Sequence, residues 1–189
     1  MLAIEQVLAA MERQPQAYLD RAESPVARRE LYWPVAQAIV TVASSHELAA
    51  ALIELGWKET KWARAVLEGH CERMPKGQQC DGGYARGPWQ VHGWCSRGWA
   101  LADGSYAALE EQGRCAVRLL QGRLAGCRRG WEGAFSGYAG SSCAWPPARK
   151  RAEEMREVLA FLAQPWPGGA KPTGAGPSSP SIQAQGDEQ

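Results

Sequence analysis

The chain has 189 residues, 45% of them hydrophobic and 22% charged, with a formal net charge of +1 at pH 7. That length fits one globular domain with tails, and the near-neutral balance argues against a nucleic-acid partner, whose recognition rests on a clustered basic surface. No run approaches the ~18 apolar residues a membrane-spanning helix needs, and the acidic start MLAIEQVLAAMERQPQAYLD lacks the basic n-region and apolar core of a secretory signal.

Residues 2–13 pattern as a short amphipathic helix stopped near Pro15. A helical stretch around 26–32 follows and is expected to end before Pro34, which then opens the apolar run VAQAIVTVA. Ser44 with Glu47 three residues later is a capping-box signature for the next helix, whose later part reads ALIELGWKETKWA. On a 3.6-residue period Glu47, Glu54, Lys58 and Lys61 share one face. Glu54 therefore reads as a solvated carboxylate with Lys58 at i,i+4, a contact worth about 0.2–0.5 kcal/mol, so that Glu54→Gln should change little. Leu48, Leu52, Leu55, Glu59 and Trp62 share another face, roughly 140° from Glu54. A carboxyl that ends an apolar stripe is either buried and paired or held in a cleft with a raised pKa.

Gly69 and the polar stretch 72–87 break the regularity. Residues 103–126 place Leu109, Ala116, Leu119, Leu120 and Leu124 at helical spacing, with Gly126 as C-cap. The basic run Arg114–Arg129 is interleaved with apolar residues and reads as one face of that helix. Residues 147–163 form a last helix with Met155, Val158, Leu159 and Leu162 inward. From Pro165 onward Pro, Gly, Ser and Gln dominate, too few apolar groups to fold. No strand pattern and no internal repeat stands out. The fold class is mainly α: an N-terminal helical extension (1–45), a central domain (46–163) and a disordered C-terminal tail (164–189).

All six cysteines (Cys71, Cys80, Cys95, Cys115, Cys127, Cys143) fall within 71–143. An even, clustered set favours disulfides and an oxidising destination; buried free thiols are the plainer alternative. A zinc site from His70, Cys71, Cys80, His92 and Cys95 is the sharper one, but its spacings do not follow the usual paired-ligand pattern, and neither metal nor cofactor is expected. Pairing in sequence order gives Cys71–Cys80, Cys95–Cys115 and Cys127–Cys143, one of 15 connectivities.

Three segments far apart in sequence complement one another chemically. WKETKWA carries Glu59 and Thr60; ARGPWQVHGWC has a Gly87–Pro88 turn followed by Trp89 and Gln90; GAFSGYAGSSC, rich in glycine, carries Tyr138. Trp57, Trp62, Trp89, Trp94, Trp99 and Trp145 flank them. A carboxylic acid, an amide, a phenol and several indoles on glycine-bent loops suit a sugar-binding cleft, where indoles stack on pyranose rings and an acid protonates the glycosidic oxygen.

At these residues the sequence resembles the lysozyme-like lytic transglycosylases of the soluble-lytic-transglycosylase type, relatives of goose-type lysozyme. That family has a catalytic Glu-Ser at a helix end, a Gly-Leu-Met-Gln turn and a Tyr-Asn-Ala-Gly segment. Glu59-Thr60 matches the first with Thr for Ser, and Gly87–Val91 matches the second at its Gly and Gln. Phe135–Gly140 matches the third but lacks the Asn. The resemblance spans residues 45–145; the first helices and the tail lie outside it. It implies a lysozyme-like single domain, acting as a monomer on the glycan strand of peptidoglycan. Glu59 would be the one general acid, cleaving the bond between N-acetylmuramic acid and N-acetylglucosamine and then closing a 1,6-anhydro ring. Thr60 would position its carboxyl, while Gly87, Trp89, Gln90 and Tyr138 would meet the substrate. The implied destination is the periplasm or cell wall, or phage delivery at lysis, since no signal is visible. Other readings are a hydrolytic goose-type lysozyme using Asp81 or Asp103 as second acid, a non-catalytic binder of wall glycan, and a zinc-stabilised cytosolic interaction module. Glu59 itself has a plainer reading, as a core carboxylate paired with an arginine such as Arg86.

Overall fold

In the computed structural model, which describes residues 2–15, 24–68, 70, 85–92, 106–140 and 142–166, the chain is mainly helical. α1 (Ile4–Glu12) turns Val7, Leu8 and Met11 into the core. On the same helix the buried Gln6 Nε2 donates to the carbonyls of Leu162 at 2.7 Å and Gln164 at 3.0 Å, satisfying the end of the last helix. α2 (Pro25–Val42) starts where Ser24 Oγ accepts from the Ala27 N–H and Pro25 takes the first helical position. Contrary to the sequence expectation, Pro34 neither ends one helix nor opens another, because α2 runs through it. An internal proline costs roughly 3 kcal/mol; burial of Tyr32, Val35, Ala36 and Ile39 on both sides of it offsets that.

α3 (His46–Thr60) begins one residue later than the capping box implies: Ser45, not Ser44, accepts from the Leu48 N–H at 3.2 Å. Every residue from Leu48 to Gly56 is buried, so α3 is the axis of the fold. Glu54 is not solvated but 0% exposed, and it faces α7 (Pro147–Leu162). Lys58 Nζ lies 3.5 Å from Glu54 Oε1 and also pairs with Glu154 of α7.

α3 stops in two consecutive left-handed residues, Lys61 and Trp62, each at φ 54°. A bulky side chain pays for that conformation in strain, which burial of the Trp62 ring beside Tyr32 (centroids 6.1 Å apart) counters. The ring lies on the helix where Gly56 has no side chain: a Cβ there would sit 2.3 Å from Trp62 Cη2. Gly56→Ala is expected to destabilise the fold by about 1–3 kcal/mol despite alanine's better helix propensity. The urea midpoint checks this, and an unchanged midpoint would mean that the indole moves aside freely.

After the single turn of α4 (Arg64–Leu67), β1 (Ala85–Arg86) and β2 (Val91–His92) pair antiparallel, Ala85 opposite His92 and Arg86 opposite Val91, around the turn 87–90. α5 (Tyr106–Gly126) ends with Gly126 as its last helical residue, outside the left-handed region, and not as the expected cap. The glycine-rich segment around Tyr138 is likewise not a bent loop but α6 (Gly130–Tyr138). On α7, Met155, Val158 and Leu162 are buried as expected, and Leu159 partly so.

One core joins these elements: Leu8, Met11, Tyr32 and Ile39 of α1 and α2 pack with Leu52, Leu55, Leu120, Phe135 and Met155. α1 and α2 thus share the core of the central helices instead of extending from it. Cys127 and Cys143 are disulfide-bonded, Cα atoms 5.5 Å apart, clamping α6 between them. Cys115, buried on α5, is also disulfide-bonded. Cys71, Cys80 and Cys95 lie outside the described residues, and with them the other two expected pairs and most of the zinc alternative. So do residues 167–189 of the expected tail. No helix among the described residues is long and apolar enough to cross a membrane.

Candidate active site

The end of α3, the hairpin turn and the end of α6 converge on a cleft of ≈ 430 Å³, within the range that takes small ligands. Glu59, Gln90 and Tyr138, drawn from the three segments singled out in the sequence, all line it. Val91 and Leu119 give it apolar wall, and Arg123 a charged one.

Trp89 holds this convergence together, in a role the sequence did not suggest. It is 0% exposed, and its indole Nε1 donates to the Leu52 carbonyl of α3 at 3.0 Å. Its faces are spent on the core, so Trp89 is not a stacking platform for substrate. Its own carbonyl accepts from Tyr138 Oη at 2.6 Å. One residue therefore bonds the hairpin turn to α3 through its side chain and to α6 through its backbone. Gly87 opens the turn at φ 62°, and a Cβ there would collide with Gln112 Oε1 of α5 at 1.7 Å. Gln90 closes it, also left-handed at φ 46°, with its N–H and Nε2 both donating to the Gly87 carbonyl at 3.1 and 2.8 Å. A strained non-glycine residue in a cleft wall is a conformation that the surrounding packing must enforce.

Glu59 is partly buried, and its Oε1 accepts from Arg151 Nη1 of α7 at 2.7 Å, with side-chain exposures of 23% and 13%. The sequence named Arg86 as an example of a pairing arginine; the partner found is Arg151. The clue lay in spacing, since Arg151 stands four residues before Met155 and seven before Val158, both buried, within the charged run RKRAEEMR. Arg151 also lies over the Trp145 ring, 5.4 Å from its centroid. Thr60 does not hold the Glu59 carboxyl. It is buried, its Oγ1 donating to the Gly56 carbonyl at 2.8 Å and accepting from the Trp62 N–H at 3.3 Å, which finishes the helix. Tyr138 is pushed well above the usual phenol range by burial and then by the nearby Glu59 charge, so it stays a hydrogen-bond donor.

Of the flanking indoles, Trp62 is buried beneath Gly56, and Trp57 lies under Lys58 and Lys61, with Nε1 donating to the Pro15 carbonyl. Trp145 remains at the site through Arg151; Trp94 and Trp99 are outside the described residues, as are Asp81 and Asp103. Compared with known protein families, curated proteins and solved structures, the chain has no match. Around one concavity stand a carboxyl bonded to Arg151 behind it, an amide, a phenol and the Arg123 guanidinium.

Proposed function

We propose that the protein is a peptidoglycan-cleaving muramidase of lysozyme-like fold that works as a lytic transglycosylase. The observation that carries this reading is the meeting of Glu59, Gln90 and Tyr138 in one cleft, from positions 31 and 48 residues apart along the chain. In this reading Glu59 gives its proton to the glycosidic oxygen as the bond to the muramyl anomeric carbon breaks. The carboxylate so formed takes the proton of the C6 hydroxyl while that oxygen attacks the same carbon. No water is consumed, and one carboxyl serves both steps, because the C6 hydroxyl is already held beside its target. Gln90 and Tyr138 orient the sugars. Outside the cytoplasm, in periplasm or cell wall or delivered by phage, is where such an activity meets its substrate.

Digested sacculi are expected to yield muropeptides ending in 1,6-anhydromuramic acid, one water lighter than lysozyme products. Mass spectrometry checks this. Reducible muramic ends alone would mean hydrolysis, in which a second carboxylate roughly 6.5–9.5 Å away activates water if the route is inverting.

The Glu59–Arg151 ion pair favours a second reading, a glycan-binding module without turnover. A guanidinium bonded to Oε1 occupies half of the carboxyl, and a general acid must find its proton on the other oxygen. Sacculi that bind the protein but remain undigested would establish that reading.

A further inference from the structure

Arg123 stands apart from the other arginines of α5. Arg114 pairs with Glu110 at 3.0 Å and Arg118 with Glu111 at 3.7 Å, whereas the Arg123 guanidinium makes no hydrogen bond or ion pair among the described residues. It is the side chain alone that lacks a partner, since the Arg123 carbonyl accepts from the Cys127 N–H at 2.8 Å, and that side chain is located by packing. Its aliphatic stem crosses α6 at Gly137, where an added Cβ would lie 2.6 Å from Arg123 Cδ and 3.0 Å from Cγ and Nε. The missing side chain at Gly137 is the groove that holds the stem, and the residue forms part of the cleft wall. The other charges at the cleft cancel, since Glu59 is bonded to Arg151. Among the described side chains that line the cleft, Arg123 is the charge left over.

A guanidinium fork carried on a packed stem matches a carboxylate bidentately, and it loses little freedom on binding one. We propose that Arg123 is a specificity-determining residue that selects glycans bearing a carboxylate, holding that group against the α5–α6 wall while the sugar rings fill the cleft. The inference rests on the glycan reading of the same site and adds to it a preference: sugar polymers containing muramic acid bind better than neutral polymers of N-acetylglucosamine.

The test uses full-length Glu59→Gln protein, in which turnover is blocked, titrated calorimetrically with two probes. One is a tetrasaccharide alternating N-acetylglucosamine and N-acetylmuramic acid with free lactyl carboxylates; the other is the neutral N-acetylglucosamine tetramer. The charged probe is expected to bind about tenfold tighter, the size of one charge-assisted contact in partial solvent. With Arg123→Gln added, the preference should fall to about twofold or less, and with Arg123→Lys it should survive in part. Gly137→Ala leaves the arginine in place but displaces its stem, and should also erode the preference. Equal affinity for the two probes before Arg123 is changed, or a preference that persists in Arg123→Gln, would overturn the inference and leave the glycan reading standing. Binding of neither probe would overturn both. If Glu59→Gln does not fold, the same titrations in the cold on protein with intact Glu59 give the same decision.

Discussion

Glu59→Gln is expected to lower the rate of sacculus lysis by about 10²–10⁴-fold, the contribution of a positioned general acid, with the fold retained. The amide keeps the shape of the carboxyl, and its oxygen can still accept from Arg151 Nη1 as Oε1 does now. What it cannot do is hand over a proton or take one from a hydroxyl. The loss of charge leaves Arg151 less well paired, but both side chains keep some solvent contact, so the stability cost should stay near that of a screened ion pair, about 1 kcal/mol or less. Turbidity clearance of sacculi and a thermal melt, run on the same samples, separate the two roles. Unchanged clearance with a lowered melting temperature would make Glu59 half of a structural ion pair and favour the binding-module reading.

The second large effect lies one and a half turns earlier on the same helix. Glu54 and Glu154 share the Lys58 ammonium, and Glu154 has a second ion pair with Lys150 at 3.8 Å, which Glu54 lacks among the described residues. Lys61 is nearby as well, itself held below the usual lysine range by burial and by Lys58. The fully buried carboxyl is the one that keeps a proton: burial, against the pull of Lys58 and with the push of Glu154, raises Glu54 from an ordinary 4.5 to about 8. Between those values the folded protein holds a proton that the unfolded chain has released, so stability must fall as pH rises from about 4.5 to about 8 and level off beyond. A displacement of that size corresponds to an upper bound of about 5 kcal/mol. Glu54→Gln imitates the protonated form and should remove this dependence, leaving the variant close to the parent near pH 5 and more stable than it near pH 9. Denaturant melts at the two pH values check it; parallel pH dependence in parent and variant would assign the proton elsewhere. The expectation from periodicity, that this substitution changes little, fails because it took Glu54 for a surface residue.

Helical periodicity fixes the angle between Glu54 and Glu59 but not which direction points inward, and α3 is surrounded: α1, α2, α5 and α7 all pack on it. The signal was present in another form. From Leu48 to Gly56 the sequence LAAALIELG holds one charged residue in nine, closer to a helix buried all round than to an amphipathic one. A charge stripe extended past that stretch to Glu47, Lys58 and Lys61 obscured it. The Pro34 error has the same origin, since a local rule about proline was overridden by burial on both sides of it. Trp89 and Thr60, expected at the substrate and at the Glu59 carboxyl respectively, are buried and prop the fold behind the cleft, because whether a side chain points at a cleft or supports its wall depends on what packs behind it.

By itself the sequence determined a mainly helical chain, the extents of the first and last helices to within a residue or two, and a turn starting at Gly87–Pro88; of the pairings taken in sequence order, Cys127–Cys143 is bonded. It also named the acid, amide and phenol whose chemical types belong together. These are properties of local spacing, backbone preference and residue chemistry. Only the tertiary structure decided that Glu59, Gln90 and Tyr138 share a cleft, that Arg151 rather than Arg86 bonds the acid, that the Arg123 side chain lines the cleft without a partner among the described residues, and that Glu54 is interior. Each of those depends on how α7, α5 and α6 lie against α3. That arrangement is set by the summed packing of a core drawn from the whole described chain, and no local window of residues contains it.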